Sequence, residues 1–416
     1  MPTRRSFLAD TLGIAVLGGV MPQAFMRAAI AQTLPSYEAT NAPENVLVVI
    51  QMGGGNDGLN TIVPYSDEDY HRARATIAID EKRVLRLDDR IGFNPVMTAL
   101  TELYKEGRVA VVQGVSYPNP NRSHFEATQI WETASPDLSR STGWLGRYLD
   151  EALRGTSNSR IDASNYFSGI ALGDTIPTAM ATSHVDVTAV SAVSTFGYNT
   201  GRDVESKKSA GMLFDGAQPG QSPYLSLIQE TARNAYHGSD LFRAEIASFR
   251  HAATYPKDPF SAQLALAAQI IGSNIGTRVI FVSIGSFDTH AGQRARQDRL
   301  LGYLSDGLFA FYRDLQAHGL ADRVLTMTFS EFGRRVQQNA SNGTDHGTAM
   351  PLFILGGKVK GAIYGDHPSL TDLDDNGDLK FHTDFRSVYA TVLSRWLGRN
   401  PDTIIDGDRF PILSFV

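Results

Sequence analysis

The chain has 416 residues, 42% of them apolar and 20% charged, with a net charge of −6 and no cysteine. A chain of this size can bury a substantial core, and its mild acidity gives no electrostatic reason to expect a nucleic-acid partner. Lack of cysteine excludes a thiol nucleophile and a thiolate zinc site, so any metal must be held by His, Asp, Glu or Asn.

The first segment reads as an export signal. Thr3-Arg4-Arg5-Ser6-Phe7-Leu8 has the twin-arginine pattern, and Ala29-Ile30-Ala31 offers a small-residue cleavage site. The weakly apolar stretch between them, Leu12 to Val20, holds three glycines and is too short to span a bilayer. Residues 1–31 are therefore expected to be removed during export by the twin-arginine translocase. The mature chain, from residue 32 to 416, is expected to work outside the cytoplasm, in the periplasm or beyond, with no membrane span.

Val46–Ile50 is a continuous apolar, β-branched run, the pattern of a strand buried on both faces. A glycine-rich stretch follows, in which Asp57 is either a metal ligand or the cap of a tight turn; its spacing matches neither the dinucleotide nor the P-loop pattern. A helix is predicted over Pro95–Glu106 and a second buried strand over Val109–Val112. Beyond it Arg122-Ser123-His124-Phe125-Glu126 opens an amphipathic helix. Ser123 and Glu126 make a capping-box pattern. Ser123 is equally placed as a nucleophile, because the partial positive charge of a helix N-terminus favours an alkoxide or a bound oxyanion. Arg122 and His124 would add positive charge and hydrogen bonds there.

Residues 154–221 are rich in Gly, Ser, Thr and Asn with weak periodicity, and read as an inserted loop-rich cap with one strand over Gly169–Leu172. Helical patterns resume at Tyr224–His237, Leu241–Ala253 and Ala262–Ser273. Strand Val279–Ser283, helix Gln293–His318 and strand Val324–Phe329 form a βαβ unit, hence a largely parallel sheet. Asp288 and His290 follow the first of these strands; at i and i+2 on an extended segment they point the same way and can share a metal. Ser330-Glu331-Phe332-Gly333-Arg334 ends the next strand. Glu331 is a candidate ligand and Arg334 a candidate clamp for phosphate or sulfate; the plain alternative is an exposed salt bridge between them.

Thr344-Asp345-His346-Gly347 supplies two more ligand-type residues just before a strand over Pro351–Leu355. Phe385–Leu397 reads as a closing helix ended by Gly398. The stretch Asp372–Gly377 begins like a calcium loop, but Thr383 stands where the bidentate Glu belongs, so it reads as a hairpin turn. The other histidines (His71, His184, His237, His251, His318, His367 and His382) have no comparable company.

With these residues in hand, the chain resembles the exported bacterial family known as "domain of unknown function 1501" over nearly its whole mature length. The resemblance rests on Gly54-Gly-Asn-Asp-Gly-Leu-Asn60, Ser123-His-Phe125, Phe287-Asp-Thr-His290, Ser330-Glu-Phe-Gly-Arg334, Thr344-Asp-His-Gly347 and Gly356-Gly357. It implies a relationship to the alkaline phosphatase and sulfatase superfamily. The fold it implies is α/β and alkaline-phosphatase-like: one domain, a predominantly parallel sheet with helices on both faces, and the inserted cap. By chain order Asp288 and His290 resemble the ligands of one metal and Ser330–Gly333 with Asp345–His346 those of the other, while Ser123 resembles the nucleophile. The chain departs from that pattern in having Gln51-Met52 directly after the first strand and Glu331 where Asp-His is usual. It has no Cys-x-Pro-x-Arg or Ser-x-Pro-x-Arg segment, which argues against a formylglycine sulfatase.

The expected function is a metal-dependent hydrolase of phosphate or related esters, acting on a small-molecule or polymer ester. One or two divalent ions (zinc, manganese or calcium) would be held by Asp57, Asp288, His290, Glu331, Asp345 and His346, with Ser123, Arg122, His124 and Arg334 as the catalytic set. The rival is an exported binding protein that keeps the fold with an altered site. A metal-free serine esterase ranks last, because no Gly-x-Ser-x-Gly elbow surrounds Ser123.

Overall fold

A computed structural model describes residues 45–153, 167–192, 245–407 and 409–416. The twin-arginine segment, the predicted Tyr224–His237 helix, and residues 154–166 and 193–221 of the predicted cap lie outside them.

The strands in chain order are β1 Val46–Met52, β2 Ile62–Val63, β3 Leu85–Arg86, β4 Gly92–Phe93, β5 Val109–Ser116, β6 Gly169–Leu172, β7 Thr188–Val190, β8 Val279–Ile284, β9 Val324–Phe329, β10 Arg334–Gln338, β11 Thr344–His346, β12 Met350–Gly356, β13 Ile363–Tyr364 and β14 Thr383–Asp384. The main sheet runs β13-β5-β12-β9-β1-β8-β6-β7, with β14 also on β5. The apolar run Val46–Ile50 forms the middle of this sheet, with Val49 paired to Phe281 on one side and Met327 on the other. Its side chains alternate between two cores. Val46, Val48 and Ile50 pack with helices Thr98–Lys105, Pro259–Gly272 and Gln293–Ala317. Leu47 and Val49 pack on the opposite face with helices His124–Thr133, Trp144–Ala152 and Phe385–Thr391. The class is thus α/β, a mostly parallel sheet with helices on both faces. Burying each such Val, Leu or Ile stabilises the fold by about 1.5–3 kcal/mol, so an acidic residue at Val48 or Val49 would break the middle of the sheet.

The long helix Gln293–Ala317 buries Leu300, Leu301, Leu304, Leu308 and Phe311, the predicted apolar face. Within the mostly parallel sheet, β12 runs antiparallel to both neighbours, β5 and β9. The chain leaves β9 and turns through the β10–β11 hairpin at the same end of the sheet, so the next strand must run back; a parallel strand would need a crossover. One expectation is corrected: of the helix predicted over Leu241–Ala253, the described part is helical at 245–248 and has ended by Phe249. Asp314 draws the segment off the helical path by accepting hydrogen bonds from Ala252 N–H (2.8 Å) and His251 Nδ1 (2.7 Å).

Within the predicted cap stretch, Gly169–Leu172 is a strand as expected, and with Thr188–Val190 it extends the main sheet beyond β8. The calcium-like stretch is a hairpin turn: Leu373 and Leu379 pair, and Asp374 Oδ1 accepts the Asn376 and Asp378 N–H groups at 2.9 and 2.8 Å. The closing helix runs over Phe385–Thr391, continues as a π-helix over Val392–Trp396, and is followed by Gly398 at φ +63°.

Candidate metal centre

Strands β8, β1 and β9 are adjacent and parallel, so they end at one edge, at Ile284, Met52 and Phe329. The loops that leave them are laced together. Phe287 N–H donates to Gly53 O at 3.1 Å, and Gly53 N–H to Ile284 O at 2.9 Å. Asn56 N–H donates to Ser330 Oγ at 3.0 Å, and that hydroxyl donates to Met52 O at 2.6 Å. At Gly54 (φ +114°) a Cβ atom would stand 2.4 Å from Asp288 N, so only glycine lets the first and second loops approach this closely. Ser286, at φ +79°, holds a backbone conformation that is costly for a non-glycine residue, two positions before Asp288.

Arg334 ties the third loop to the other two. It is 1% exposed, and its guanidinium donates to Gly55 O (2.8 Å), Thr344 O (2.9 Å), Phe287 O (3.3 Å), Gly54 O and Asp288 Oδ1 (2.7 Å). A buried arginine is tolerated only when its donors are met in this way.

In front of Arg334, four side chains converge. Asp288 Oδ1 lies 3.0 Å from His290 Nε2 and 3.3 Å from His346 Nε2; Oδ2 lies 3.5 Å from His124 Nε2. The Nε2 atoms of His290 and His346 are 3.0 Å apart. Ligand atoms of His124, Asp288 and His346 all lie within 4.8 Å of one another. Each imidazole has an acceptor behind it: Glu331 Oε1 on His124 Nδ1 (2.8 Å), Arg122 O on His346 Nδ1 (2.8 Å), and Asp345 Oδ1 on His290 Nδ1 (3.0 Å). Such partners place the proton on Nδ1 and leave the Nε2 lone pair facing Asp288, the arrangement by which proteins orient metal-ligating histidines. Phe332 packs against two of the rings, 4.9 Å from His124 and 4.4 Å from His346.

The electrostatics agree. Partial burial works against the Asp288 charge, yet the Arg334 hydrogen bond and charge outweigh it and hold the carboxyl at about 2. The Glu331 hydrogen bond pushes His124 up, whereas burial pushes His346 down. Asn339 and then His290 hold Asp345 low.

Whether these residues suit a metal ion can be tested on the structure. His124 Nε2 is buried and has no hydrogen-bond partner, a costly state for an imidazole nitrogen unless an ion takes its lone pair. Two nitrogen lone pairs 3.0 Å apart, on His290 and His346, likewise repel unless a proton or cation lies between them. Three imidazoles and one carboxylate are borderline donors suited to zinc or manganese. The residues fit a divalent ion.

Of the residues singled out by sequence, Asp288, His290 and His346 come together. Glu331 and Asp345 are not among the converging donors; they stand behind His124 and His290. Glu331 is also held by Gly54 N–H at 2.8 Å. His124, expected to supply charge, faces Asp288 as a fourth donor. Its place directly after a loop leaving β5 was the available signal. Asp57 is absent from the cluster: it is fully buried, paired with Arg74 at 2.6 Å and bonded to Gln293. An uncompensated carboxylate in that interior would be unfavourable, and Arg74 supplies the charge. Arg334 is neither an exposed partner of Glu331 nor a free clamp, because its donors are spent on the protein. Arg122 binds Asp378 at 2.7 Å and serves the cluster through its carbonyl. Ser123 is exposed at the helix N-cap, and its side chain makes no cap hydrogen bond; Glu126 bonds Asn121 instead, so no capping box forms. Away from the cluster, buried Asp314 takes His251, Tyr255 and the His318 ring as neighbours, company not expected for those histidines.

Residues 44–403 match the model of the family described as "Protein of unknown function (DUF1501)". No curated protein matches the sequence. Similar solved structures include a protein in the alkaline phosphatase superfamily from Vibrio parahaemolyticus (11% identity, 93% of this chain and 78% of that one, TM-score 0.37). Others are the lipoteichoic acid synthase LtaP from Listeria monocytogenes (9%, 91% and 81%, 0.36) and the C-terminal periplasmic domain of EcEptC from Escherichia coli (11%, 90% and 90%, 0.36).

Proposed function

The chain belongs to the DUF1501 family, and on that premise we propose that it is an extracytoplasmic metal-dependent hydrolase of phosphate or related esters. The observation that carries this reading is the convergence of His124, His346 and Asp288, with His290 Nε2 beside Asp288 and His346 and an acceptor behind every imidazole. When bound there, a divalent ion supplies Lewis-acid stabilisation of negative charge on the ester oxygens.

Ser123 is the proposed nucleophile. It adjoins His124 in the chain, stands at a helix N-terminus, and has not spent its hydroxyl on capping. Attack by Oγ on phosphorus or sulfur would form the seryl ester and break the bond to the departing alcohol; water then cleaves the seryl ester and restores Ser123. Export by the twin-arginine translocase is supported by Arg4-Arg5 and Ala29-Ile30-Ala31. Among the described residues, no helix is long and apolar enough to cross a membrane. The substrate class is a small-molecule or polymer ester, not nucleic acid.

One observation favours a second reading, an exported binding protein with an altered site. Arg334 and Arg122 are both engaged within the protein, so neither is free to clamp a transferred anionic group. Assay of the zinc- or manganese-loaded protein on phosphate monoesters, phosphate diesters and sulfate esters, with and without chelator, decides between them. Turnover lost with chelator and with Ser123→Ala supports the hydrolase. Failure on every ester by the loaded protein would leave the binding reading.

A further inference from the structure

We propose that this cluster takes a single transition-metal ion, liganded by His124, His290, His346 and Asp288, and that Arg334 is the built-in cation that keeps a second ion out. This rests on the metal-dependent reading above, but on its donor chemistry alone and not on turnover.

Two ions in one hydrolytic site usually stand about 3.5–4 Å apart, so a second ion here would also lie close to Arg334. Among the described residues, Asp288 is the carboxylate that lies against Nε2 of all three imidazoles, and the guanidinium of Arg334 lies 2.7 Å from its Oδ1. A second divalent ion sharing that carboxylate would be pressed against a buried positive charge that cannot swing away. All three guanidinium nitrogens are hydrogen bonded to the surrounding loops. Repulsion between a divalent ion and a guanidinium a few ångströms apart strongly disfavours a second ion in a partly buried site.

The remaining carboxylates are committed elsewhere. Glu331 Oε1 serves His124 Nδ1 and Gly54 N–H, Asp345 Oδ1 serves His290 Nδ1 and Asn339, and Asp57 is paired with Arg74. That leaves one seat, made by His124, His346 and Asp288 within 4.8 Å of one another, with His290 Nε2 3.0 Å from both Asp288 Oδ1 and His346 Nε2 as the proposed fourth donor. Calcium requires six to eight oxygen ligands and is disfavoured here, whereas zinc and manganese accept imidazole. Of the three ions the sequence left open, calcium drops out.

The test is equilibrium dialysis of the full chain against zinc, manganese, calcium, and zinc with calcium, followed by elemental analysis. One zinc or one manganese per chain is expected, with calcium at background and no displacement of zinc by calcium. Two zinc ions per chain, no zinc at all, or one calcium retained per chain would each overturn the proposal. His290→Ala, at a position open to solvent, and His124→Ala should each lower zinc affinity tenfold or more, as measured by competition with a chromophoric chelator. A folded variant of either kind with unchanged affinity refutes the ligand set; should His124→Ala fail to fold, His290→Ala alone decides. A chain that binds one zinc and hydrolyses nothing would remove the hydrolase reading and leave this one intact.

Discussion

Replacing Glu331 with alanine should weaken zinc binding and the fold by amounts that can be measured apart. The carboxylate is 3% exposed, and its Oε1 accepts two hydrogen bonds, from His124 Nδ1 and from Gly54 N–H, each at 2.8 Å. Without it the His124 ring loses the partner that sets its tautomer and orientation, which typically costs 10–100-fold in metal affinity, or about 1.4–2.8 kcal/mol. Independently, the partly buried Gly54 N–H loses its acceptor, at a cost of about 1–3 kcal/mol of stability. Glu331→Gln separates the two effects. Its carbonyl oxygen can occupy the Oε1 position and keep both hydrogen bonds, and its amide can meet Ser330 Oγ, 3.3 Å from Oε2. Only the charge is then lost, so stability should hold within about 1 kcal/mol and zinc affinity should fall about tenfold. Urea unfolding of the metal-free chains measures the first quantity, and chelator competition measures the second. A folded Glu331→Ala chain that binds zinc as tightly as the parent would refute the supporting role of Glu331, and with it the assignment of His124 as a ligand.

Other perturbations probe other parts of the molecule. Burial pushes the Glu132 carboxyl up from 4.5 to about 7, so the folded chain keeps that proton where the unfolded chain has lost it. Stability should therefore fall as pH rises from about 4.5 to 7 and level off above, by at most ~3 kcal/mol at 1.36 kcal/mol per pH unit. Glu132→Gln should remove that part of the slope in urea melts at pH 5 and 8, and a slope identical to the parent's would contradict the reasoning. Asp57→Ala leaves Arg74 buried without its counter-charge and should destabilise the chain by about 3–5 kcal/mol. If the variant still folds at low temperature, its zinc stoichiometry should be unchanged; a loss of the ion there would return Asp57 to the centre. Gly54→Ala, by driving a Cβ into Asp288 N, should lower zinc affinity, and unaltered binding would show that the two loops can separate freely.

The strands were legible because β1, β5, β8 and β9 are built on mostly apolar, β-branched runs, and the site was legible because its residues stand beyond them. Asp288 with His290 and the His346 segment could be picked out from local sequence alone. The division of labour among the acids could not. Whether Glu331 binds an ion or supports a ligand depends on His124, 207 residues away, and the fate of Asp57 depends on Arg74, which belongs to none of the motifs. The direction of β12 was equally hidden, since it follows from the short β10–β11 hairpin, whose residues read as a polar loop. Periodicity identifies elements; which side chain of one loop meets which of another is decided by packing between them.

The lacing of the three loops by Arg334 has a consequence for how the molecule breathes. Loops at strand ends are commonly the first parts of a domain to open, with amides that exchange in local fluctuations. Here one buried guanidinium holds carbonyls from the β1 and β8 loops and from the β11 strand, and Ser330 Oγ holds the N–H of Asn56. To free any one of these loops, all must let go together. The amides of Gly54, Asn56 and Gly333 are thus expected to exchange with deuterium as slowly as those in the middle of β1. The seat for the ion would then belong to the same cooperative unit as the sheet, present for as long as the sheet is folded.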